Sequence, residues 1–443
     1  MKPSGQKWVL WFCFLLIAAF PGAAPAQEGL PPKGKPLNLE QCVELALKYQ
    51  PLLQASQASI AAQKARVEQA LAAYYPQINF NSTYNTSTTN FSTVGGGAIR
   101  SGGNSWSFTD IVSLGPSLNQ LIYDFGRTAN TVKINRETRS ASEQDLQTTI
   151  QTVVLNVKQT YYGVLQTLAL IKVAEDTLDQ NQKRLEQAKG FYEAGTRPKI
   201  DVTNAEVNLA NVQLSLIRAR NNYQVARANL NNAMGLREDL NFAIEESLEF
   251  KPKGVALEEI LQSAYGRRPE ILQIKARQRS QEASVELARS SYYPTLSGNA
   301  SNLYRTDRPP RDFDWDWSFG VVLTVPIFSG YSTPAQIAEA KANLKNLEAQ
   351  EETLRQNIRL EAEQAYLSRK EAVERITVTE KTLDQAKENY DLASGRYQVG
   401  VGQPLEITDA EVLLANARAN HIQALYDFKV AEARIDRAMG LSR

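Results

Sequence analysis

Two long stretches of the chain place apolar residues at heptad spacing. In residues 126–235 the apolar positions keep a heptad rhythm from Leu146 to Leu185, and after a break at residues 193–198 they resume in steps of three and four residues. An apolar stripe this narrow and this long is typical of a coiled coil rather than of one face of a globular core. The same pattern returns in residues 330–440, so the sequence predicts two long helical hairpins.

The two hairpins belong to an internal duplication. Landmark residues of the first stretch return 205 positions later, as in the pairs Tyr161 and Tyr366, Gly195 and Gly400, and Gly235 and Gly440. Such an offset indicates a tandem repeat. We place repeat 1 in residues 37–235, a linker in residues 236–256 and repeat 2 in residues 257–443.

Four shorter segments alternate apolar and polar residues, as strands with two different faces do. The predicted strands cover about residues 77–91, 105–123, 295–304 and 313–328, and we expect the glycine-rich residues 92–104 to form a flexible loop. The last strand is the most regular, and its apolar positions include Trp315, Trp317, Phe319, Val321 and Leu323. Tilted strands of about ten residues can cross a bilayer, so we expect these five side chains to face lipid. Because four strands cannot close a hollow barrel and strand edges in lipid must be paired, several copies must share one barrel.

The composition indicates an exported protein and argues against several classes of function. Residues 1–26 have the basic start, apolar core and small-residue end of a secretory signal peptide. The 49 Lys and Arg nearly cancel the 48 Asp and Glu, so we expect no nucleic-acid partner. After removal of the signal peptide, His421 and Cys42 are the remaining histidine and cysteine, and they are too few to supply a set of metal ligands. We therefore expect no enzyme, no metal and no cofactor.

Short motifs accompany the duplication. Tyr-Tyr-Pro precedes the first strand of each repeat, at residues 74–76 and 292–294, and the hairpin tips have similar sequences at residues 195–202 and 400–407. With these features, over about residues 37–441, the chain resembles the TolC family of outer-membrane efflux proteins. Members of that family are the outer-membrane components of tripartite efflux and type I secretion systems.

The resemblance implies a mainly α-helical fold with a smaller β part. It implies a homotrimer in which each chain contributes four strands to one twelve-stranded barrel in outer-membrane lipid. Below the barrel, the coiled-coil hairpins would form a periplasmic tunnel that closes at the hairpin tips. The implied partners are a periplasmic adaptor protein and an inner-membrane pump of the RND or ABC type.

The second tip carries two acidic residues that form a candidate constriction. Glu406 and Asp409 lie three residues apart at the start of a helix, so their side chains share one face. Threefold symmetry would stack them as two rings of carboxylates, which favour cations. Simple complementation of the helix dipole is the alternative explanation of the same acids.

The resemblance also implies a latch at the tips. It assigns Asp201 and Tyr397 to this gate, whereas the position of the family's latch arginine, two residues after the second-tip glycine, is occupied by Gly402. Arg197 holds the matching position in the first tip. We therefore expect a latch that is weaker or differently wired.

Two other functions are compatible with parts of the pattern. A secreted coiled-coil scaffold or adhesin would explain the heptads but not strands with aromatic residues at both ends, and solubility without detergent would support it. A dedicated solute porin would explain the strands, but its periplasmic turns are short and it has no use for long helical arms. The sequence favours an exit duct.

Overall fold

The computed structural model describes residues 36–89, 92–94, 98–100, 107–236, 243–245, 250, 254–306 and 313–441. The expected signal peptide, most of the expected linker and residues 90, 91, 105 and 106 of the predicted strands lie outside the described residues. The rest is mainly helical with one four-stranded antiparallel sheet, which confirms the predicted fold class. Within these ranges, no helix combines the length and the apolar character needed to cross a membrane.

The first repeat begins with two helices that precede its strands. The helices are α1 (Leu39–Tyr49) and α2 (Pro51–Leu71); the strands are β1 (Gln77–Thr89), β2 (Ser92–Val94), β3 (Ala98–Arg100) and β4 (Ser107–Tyr123); and the hairpin is α3 (Arg127–Glu193) with α4 (Lys199–Met234). The antiparallel β2–β3 ladder corrects our expectation of a flexible loop over residues 92–104. The β-branched residues Thr93, Val94 and Ile99 favour strand conformation there despite the neighbouring glycines.

The second repeat has the same plan. Its elements are α5 (Leu257–Arg267), α6 (Pro269–Ser290), β5 (Thr295–Thr306), β6 (Asp314–Thr324), α7 (Ser332–Gln398) and α8 (Pro404–Ala438). Strand β6 ends four residues before the predicted residue 328. The physical reason is Pro326, which has no N–H to donate to a strand ladder.

Each long hairpin is completed by a helix from earlier in its repeat. Helix α3 has 67 residues and α4 has 36, so α4 alone cannot match it. Helix α2 stacks end to end on α4, and the Gln50 side chain donates to the Asn232 and Ala233 carbonyls at 3.3 and 2.9 Å. These are carbonyls that the end of α4 leaves unpaired. At roughly 1.5 Å per residue, α3 spans about 100 Å and the column of α2 and α4 spans about 85 Å.

Glycine permits this stacking. Gly235 has a φ of +72°, and a Cβ there would lie 2.7 Å from the Gln50 Cα. Gly440 makes the same close approach in repeat 2, with a φ of +77° and an added Cβ 3.1 Å from the Arg267 carbonyl carbon.

The sheet has one apolar and one polar face across all four strands. Its order is β1–β4–β5–β6, and directly paired residues of antiparallel strands share a face. The pairs Ile78–Leu118, Tyr84–Val112, Leu118–Ala300, Ala300–Phe319, Tyr304–Trp315 and Leu296–Leu323 lie on the apolar face. The pairs Asn81–Gly115, Thr83–Ser113, Ser117–Ser301 and Ser301–Ser318 lie on the polar face. Strands β1 and β6 are the two edges of this sheet.

The four long helices form a row in the order α4–α3–α8–α7, in which neighbouring helices pack against each other. Small side chains allow the close approach within the row: Ala417, Ala424 and Ala431 of α8 are all buried.

Helices α4 and α7 lie at the two ends of the row. Both carry exposed apolar residues seven apart: Ile200, Val207 and Leu214 on α4, and Leu360 and Leu367 on α7.

Candidate functional site at the hairpin tips

Both hairpins turn in the same way. Gly195 and Gly400 follow α3 and α7 with left-handed φ values of +72° and +83°. One residue further on, the Thr196 N–H donates to the Phe191 carbonyl at 3.0 Å and the Val401 N–H to the Arg396 carbonyl at 3.1 Å. This is the glycine-terminated helix end that satisfies the last carbonyls of a helix and reverses the chain.

Arg197 connects the two tips of one chain. Its Nη2 donates to the Gly402 carbonyl at 2.7 Å, and its guanidinium carbon lies 5.6 Å from the centre of the Tyr397 ring. Its Nη1 is 3.9 Å from the Asp201 carboxylate. The structure thus brings together three of the predicted gate residues, Arg197, Asp201 and Tyr397. Tyr397 is only 2% exposed and contacts the Phe191 ring edge to face.

Gly402 is required by the second turn. An added Cβ would lie 2.8 Å from the Tyr397 nitrogen and 3.0 Å from the Arg396 carbonyl carbon, so a side chain does not fit without movement of the backbone. The Gly402 N–H donates to the Arg396 carbonyl at 2.8 Å. The arginine that joins the tips in this chain therefore comes from the first tip, and it binds the main chain of the second.

The two acids of the second tip lie apart from this cluster. Glu406 is in the first turn of α8, and its carboxylate lies 3.4 Å from Arg396 on an exposed surface. Asp409 is also exposed, whereas Ile407 and Ala410 beside them are buried. The acids thus occupy the face of α8 opposite its packing seam, where neither is held by a buried partner.

A second ionic contact at the tips was missed by the sequence analysis. The Arg184 Nη1 of α3 lies 2.6 Å from the Glu411 Oε2 of α8, with side-chain exposures of 7% and 5%. The Nη2 of Arg184 donates to the Pro404 carbonyl at 2.9 Å and to the Thr408 hydroxyl. One guanidinium therefore binds the first two turns of α8.

Burial of the Arg184–Glu411 pair changes the pKa of Glu411 and the cost of removing either partner. Desolvation raises the pKa of the Glu411 carboxyl above its usual value, although the charge and hydrogen bond of Arg184 act to lower it. The Oε1 of Glu411 is buried without a hydrogen-bond partner among the described residues. Removing Arg184 would leave a buried carboxylate uncompensated, which is more costly than losing an exposed pair.

A weak signal for this pair existed in the sequence. Asn181, Arg184 and Ala188 follow the same three- and four-residue steps as the apolar heptads, and all three are buried. They form a second stripe on α3 that faces α8. A charged residue at seam spacing in a coiled coil suggests a charged partner on the facing helix. Which residue of α8 is that partner depends on the axial position of α8, and heptad spacing does not determine that position.

Metal binding is not supported by side-chain placement. Across the described ranges, no group of three or more His, Cys, Asp or Glu residues is placed to hold a metal ion. The Nδ1 of His421 lies 3.3 Å from the Thr379 hydroxyl, on the surface between α7 and α8.

Comparisons with known proteins agree with this architecture. Outer membrane protein TolC of Salmonella enteritidis is 22% identical over 420 residues, which are 91% of this chain and 82% of that protein. Cation efflux system protein CusC of Escherichia coli (strain K12) is 24% identical over 342 residues, 71% of this chain and 70% of that protein.

Solved structures have the same fold. A crystal structure of CusC superimposes with a TM-score of 0.78 at 20% identity, covering 91% of this chain and 92% of that one. The outer membrane protein VceC of Vibrio cholerae gives a TM-score of 0.76 at 20% identity, covering 91% and 96%. The family model described as outer membrane efflux protein matches residues 42–236 and 260–441, one match in each repeat. The chain therefore belongs to the outer membrane efflux protein family.

Proposed function

We propose that three copies of this chain close one exit duct, with a shared barrel in the outer membrane and a helical tunnel in the periplasm. As a member of its family, the chain is an outer membrane efflux protein. The proposal concerns how copies assemble, where the duct closes and which proteins it meets. In this proposal, the duct receives substrates from an inner-membrane pump of the RND or ABC type through a periplasmic adaptor.

One observation carries the proposal: the sheet and the helix row are both open at their two ends. The sheet ends at β1 and β6, and the row ends at α4 and α7. An unpaired strand edge is costly in lipid because its N–H and C=O groups find no water. A ring of copies pairs β6 with the next β1 and covers the exposed apolar heptads of α4 and α7 in the same step.

Strand number favours three copies over two. Four antiparallel strands per chain allow β6 of one copy to pair antiparallel with β1 of the next. Two copies would give about eight strands, whose interior is filled by side chains, whereas about twelve leave space for a duct. In such a barrel the apolar face that carries Trp315, Trp317, Phe319, Val321 and Leu323 faces lipid, and the polar face lines water.

The closed end of the duct lies at the tips. Arg197 holds the two tips of each chain together, while Glu406 and Asp409 remain exposed for three copies to arrange around the axis. Rings of carboxylates at a narrow point favour cations. Relatives named for antibiotic, toluene and cation efflux are 24–25% identical to this chain over about 70% of its length. We therefore propose that the pump selects the substrate and that this chain provides the route by which the substrate leaves.

Two measurements test the assembly. Detergent-extracted protein should have a mass near three mature chains, where one full-length chain is 49.3 kDa. Leu367→Glu, at an exposed apolar position of α7, should lower the trimer fraction because it places a charge in the proposed interface. Ser368→Glu is the matched control, because adjacent residues on a helix are about 100° apart and the same charge is then placed outside the stripe of Leu360 and Leu367. Monodisperse monomer that retains β-sheet circular dichroism in detergent would contradict the shared barrel.

A further inference from the structure

We infer that the apolar face of the sheet carries a site for one acyl chain of a phospholipid from the periplasmic leaflet of the outer membrane. The site is a groove along β5, and its floor is formed by Gly298 and Ala300. This inference rests on the proposed orientation of the sheet, in which the apolar face meets lipid. It adds that one lipid molecule per chain is held at a defined place on that face.

Two small residues leave this groove in the apolar face. Gly298 and Ala300 are successive outward positions of β5, and larger side chains flank them on both neighbouring strands. The flanking residues are Leu118 and Ile122 on β4 and Phe319 and Val321 on β6. The hollow between them has a volume of about 490 Å³. It runs along the strand with a wall on each side, so an extended hydrocarbon chain gains dispersion contacts on three sides rather than one.

Contacts within the chain hold both walls of the groove. The ladder between β4 and β5 is interrupted by a bulge at Ile122, an extra residue that the bulge turns toward the apolar face. Its Cδ1 would lie 3.4 Å from a Cβ at Gly298, so the side chain leans over the floor of the groove. On the other wall, the Phe319 ring stacks on the Trp317 ring with 5.9 Å between their centres. The groove is therefore a feature of the chain itself.

The groove lies in the periplasmic half of the apolar band. Strand β5 begins at Thr295, beside the helices. At roughly 3.4 Å per residue and a tilt of about 45°, Gly298 and Ala300 lie about 7 and 12 Å above that end, within a band about 25 Å tall. Gln120, the cross-strand partner of Gly298, donates to the Tyr74 carbonyl just before β1 at 3.1 Å. This half of an outer membrane is phospholipid, whereas lipopolysaccharide forms the outer half, so the groove meets phospholipid.

An aromatic cluster lies at the periplasmic mouth of the groove. Tyr123 pairs with Leu296, which is the next outward position of β5 below Gly298. The Tyr123 ring lies 4.7 Å from the Phe125 ring, which stacks on Tyr293 at 5.5 Å. Phe125 has a left-handed φ of +52°, a strained conformation for a bulky residue that is kept where it serves a function. Exposed aromatic rings settle at the level of lipid headgroups, so the cluster places the glycerol end of the lipid directly below the groove.

Filling the groove tests the site. Gly298→Leu should expel the acyl chain, and its new Cβ meets only the flexible end of Ile122. The expected result is a several-fold loss of the phospholipid that stays bound through detergent extraction and gel filtration, counted by native mass spectrometry and by phosphate assay of the lipid extract. Ser297→Leu is the matched control, because the same side chain is then added one residue away on the opposite face. Phe319→Ala removes one wall and should also release the lipid.

Adding phospholipid back gives a second readout. A ligand that binds only the folded protein raises its Tm in a concentration-dependent way. Phosphatidylethanolamine in mixed micelles should therefore raise the Tm of the delipidated wild type and of Ser297→Leu, and it should not raise the Tm of Gly298→Leu.

The outcomes separate the inference from the proposed function. A wild-type protein that stays soluble without detergent would overturn the proposed barrel itself. An oligomeric wild-type protein that carries no phospholipid, or equal phospholipid in Gly298→Leu and Ser297→Leu, would overturn the groove alone. Retention of lipopolysaccharide in place of phospholipid would overturn the assignment to the periplasmic leaflet. Loss of the lipid in Ser297→Leu but not in Gly298→Leu would show that the opposite face meets lipid, against both the proposed orientation and the groove.

Discussion

Arginine at Val321 should prevent the shared barrel from forming, because this residue lies near the middle of the proposed lipid-facing surface. Strand β6 has 11 residues, from Asp314 to Thr324. At roughly 3.4 Å per residue and a tilt of about 45°, it rises about 26 Å, close to the height of the apolar band of such barrels. Val321 is two residues from the strand centre and 68% exposed. Its cross-strand neighbour, Gly298, has no side chain to shield it.

The expected free-energy cost of Val321→Arg is large enough to prevent formation of the shared barrel. An arginine facing lipid near the midplane costs about 2–4 kcal/mol. Three copies would raise this to roughly 6–12 kcal/mol per barrel, which is comparable with the whole stability of many domains. The assay is refolding into phospholipid vesicles at increasing urea, with the folded fraction followed by tryptophan fluorescence and heat-modifiable gel mobility.

Ser318→Arg is the matched control. Ser318 pairs with Ser301 on the polar face of the same strand, so its arginine should reach water. Gly320 would be a poorer choice because an added Cβ would lie 2.8 Å from the Asn299 Oδ1 and would mix steric with electrostatic effects. If Ser318→Arg is as damaging as Val321→Arg, or more so, the assignment of the two faces is wrong.

Three further predictions concern the periplasmic part. Glu406→Gln combined with Asp409→Asn should reduce cation preference without dissociating the proposed trimer, measured as the reversal potential in a salt gradient; an unchanged potential would leave only the helix-dipole role. Ala424→Leu should overpack the fully buried contact with Phe428 and cost about 1–3 kcal/mol, seen as a lower Tm, and an unchanged Tm would contradict a tight seam. Burial raises the pKa of the Cys42 thiol to about 12, so at pH 8 the native protein should not react with a thiol reagent while the unfolded protein should; rapid labelling of the native protein would refute this.

The long helices and the strands were predictable because their patterns repeat over many residues. An apolar stripe that persists from Leu146 to Leu185, within the 67 residues of α3, outweighs any single exception. Boundaries depend on single residues, and the predicted end of β6 was wrong because Pro326 outweighed the alternation that continues past it. The short β2–β3 ladder was missed because glycine composition was given more weight than three β-branched residues.

The site was less predictable because its contacts join residues far apart in sequence. The sequence singled out Arg197, Asp201 and Tyr397 by their positions in the tip motifs, but not the Gly402 carbonyl as the acceptor. It singled out neither Arg184 nor Glu411. Adjacent residues on a helix are about 100° apart, so a small error in the axial position of α8 changes which side chain faces Arg184. Heptad spacing determines which face packs but not this axial position.

The duplication allows the two kinds of helix boundary to have different contacts, which a single repeat could not provide. A ring built from identical single repeats would have the same contact at every helix boundary, so a lock strong enough to order the tunnel would also resist its opening at every boundary. Two repeats in one chain make alternate boundaries chemically independent. Arg184 and Arg197 strengthen one kind, while Asn389 and Gly402 at the equivalent positions leave the other without those bonds. The duplication therefore lets the α3–α8 boundary carry directional contacts that the equivalent positions of α7 and α4 do not repeat.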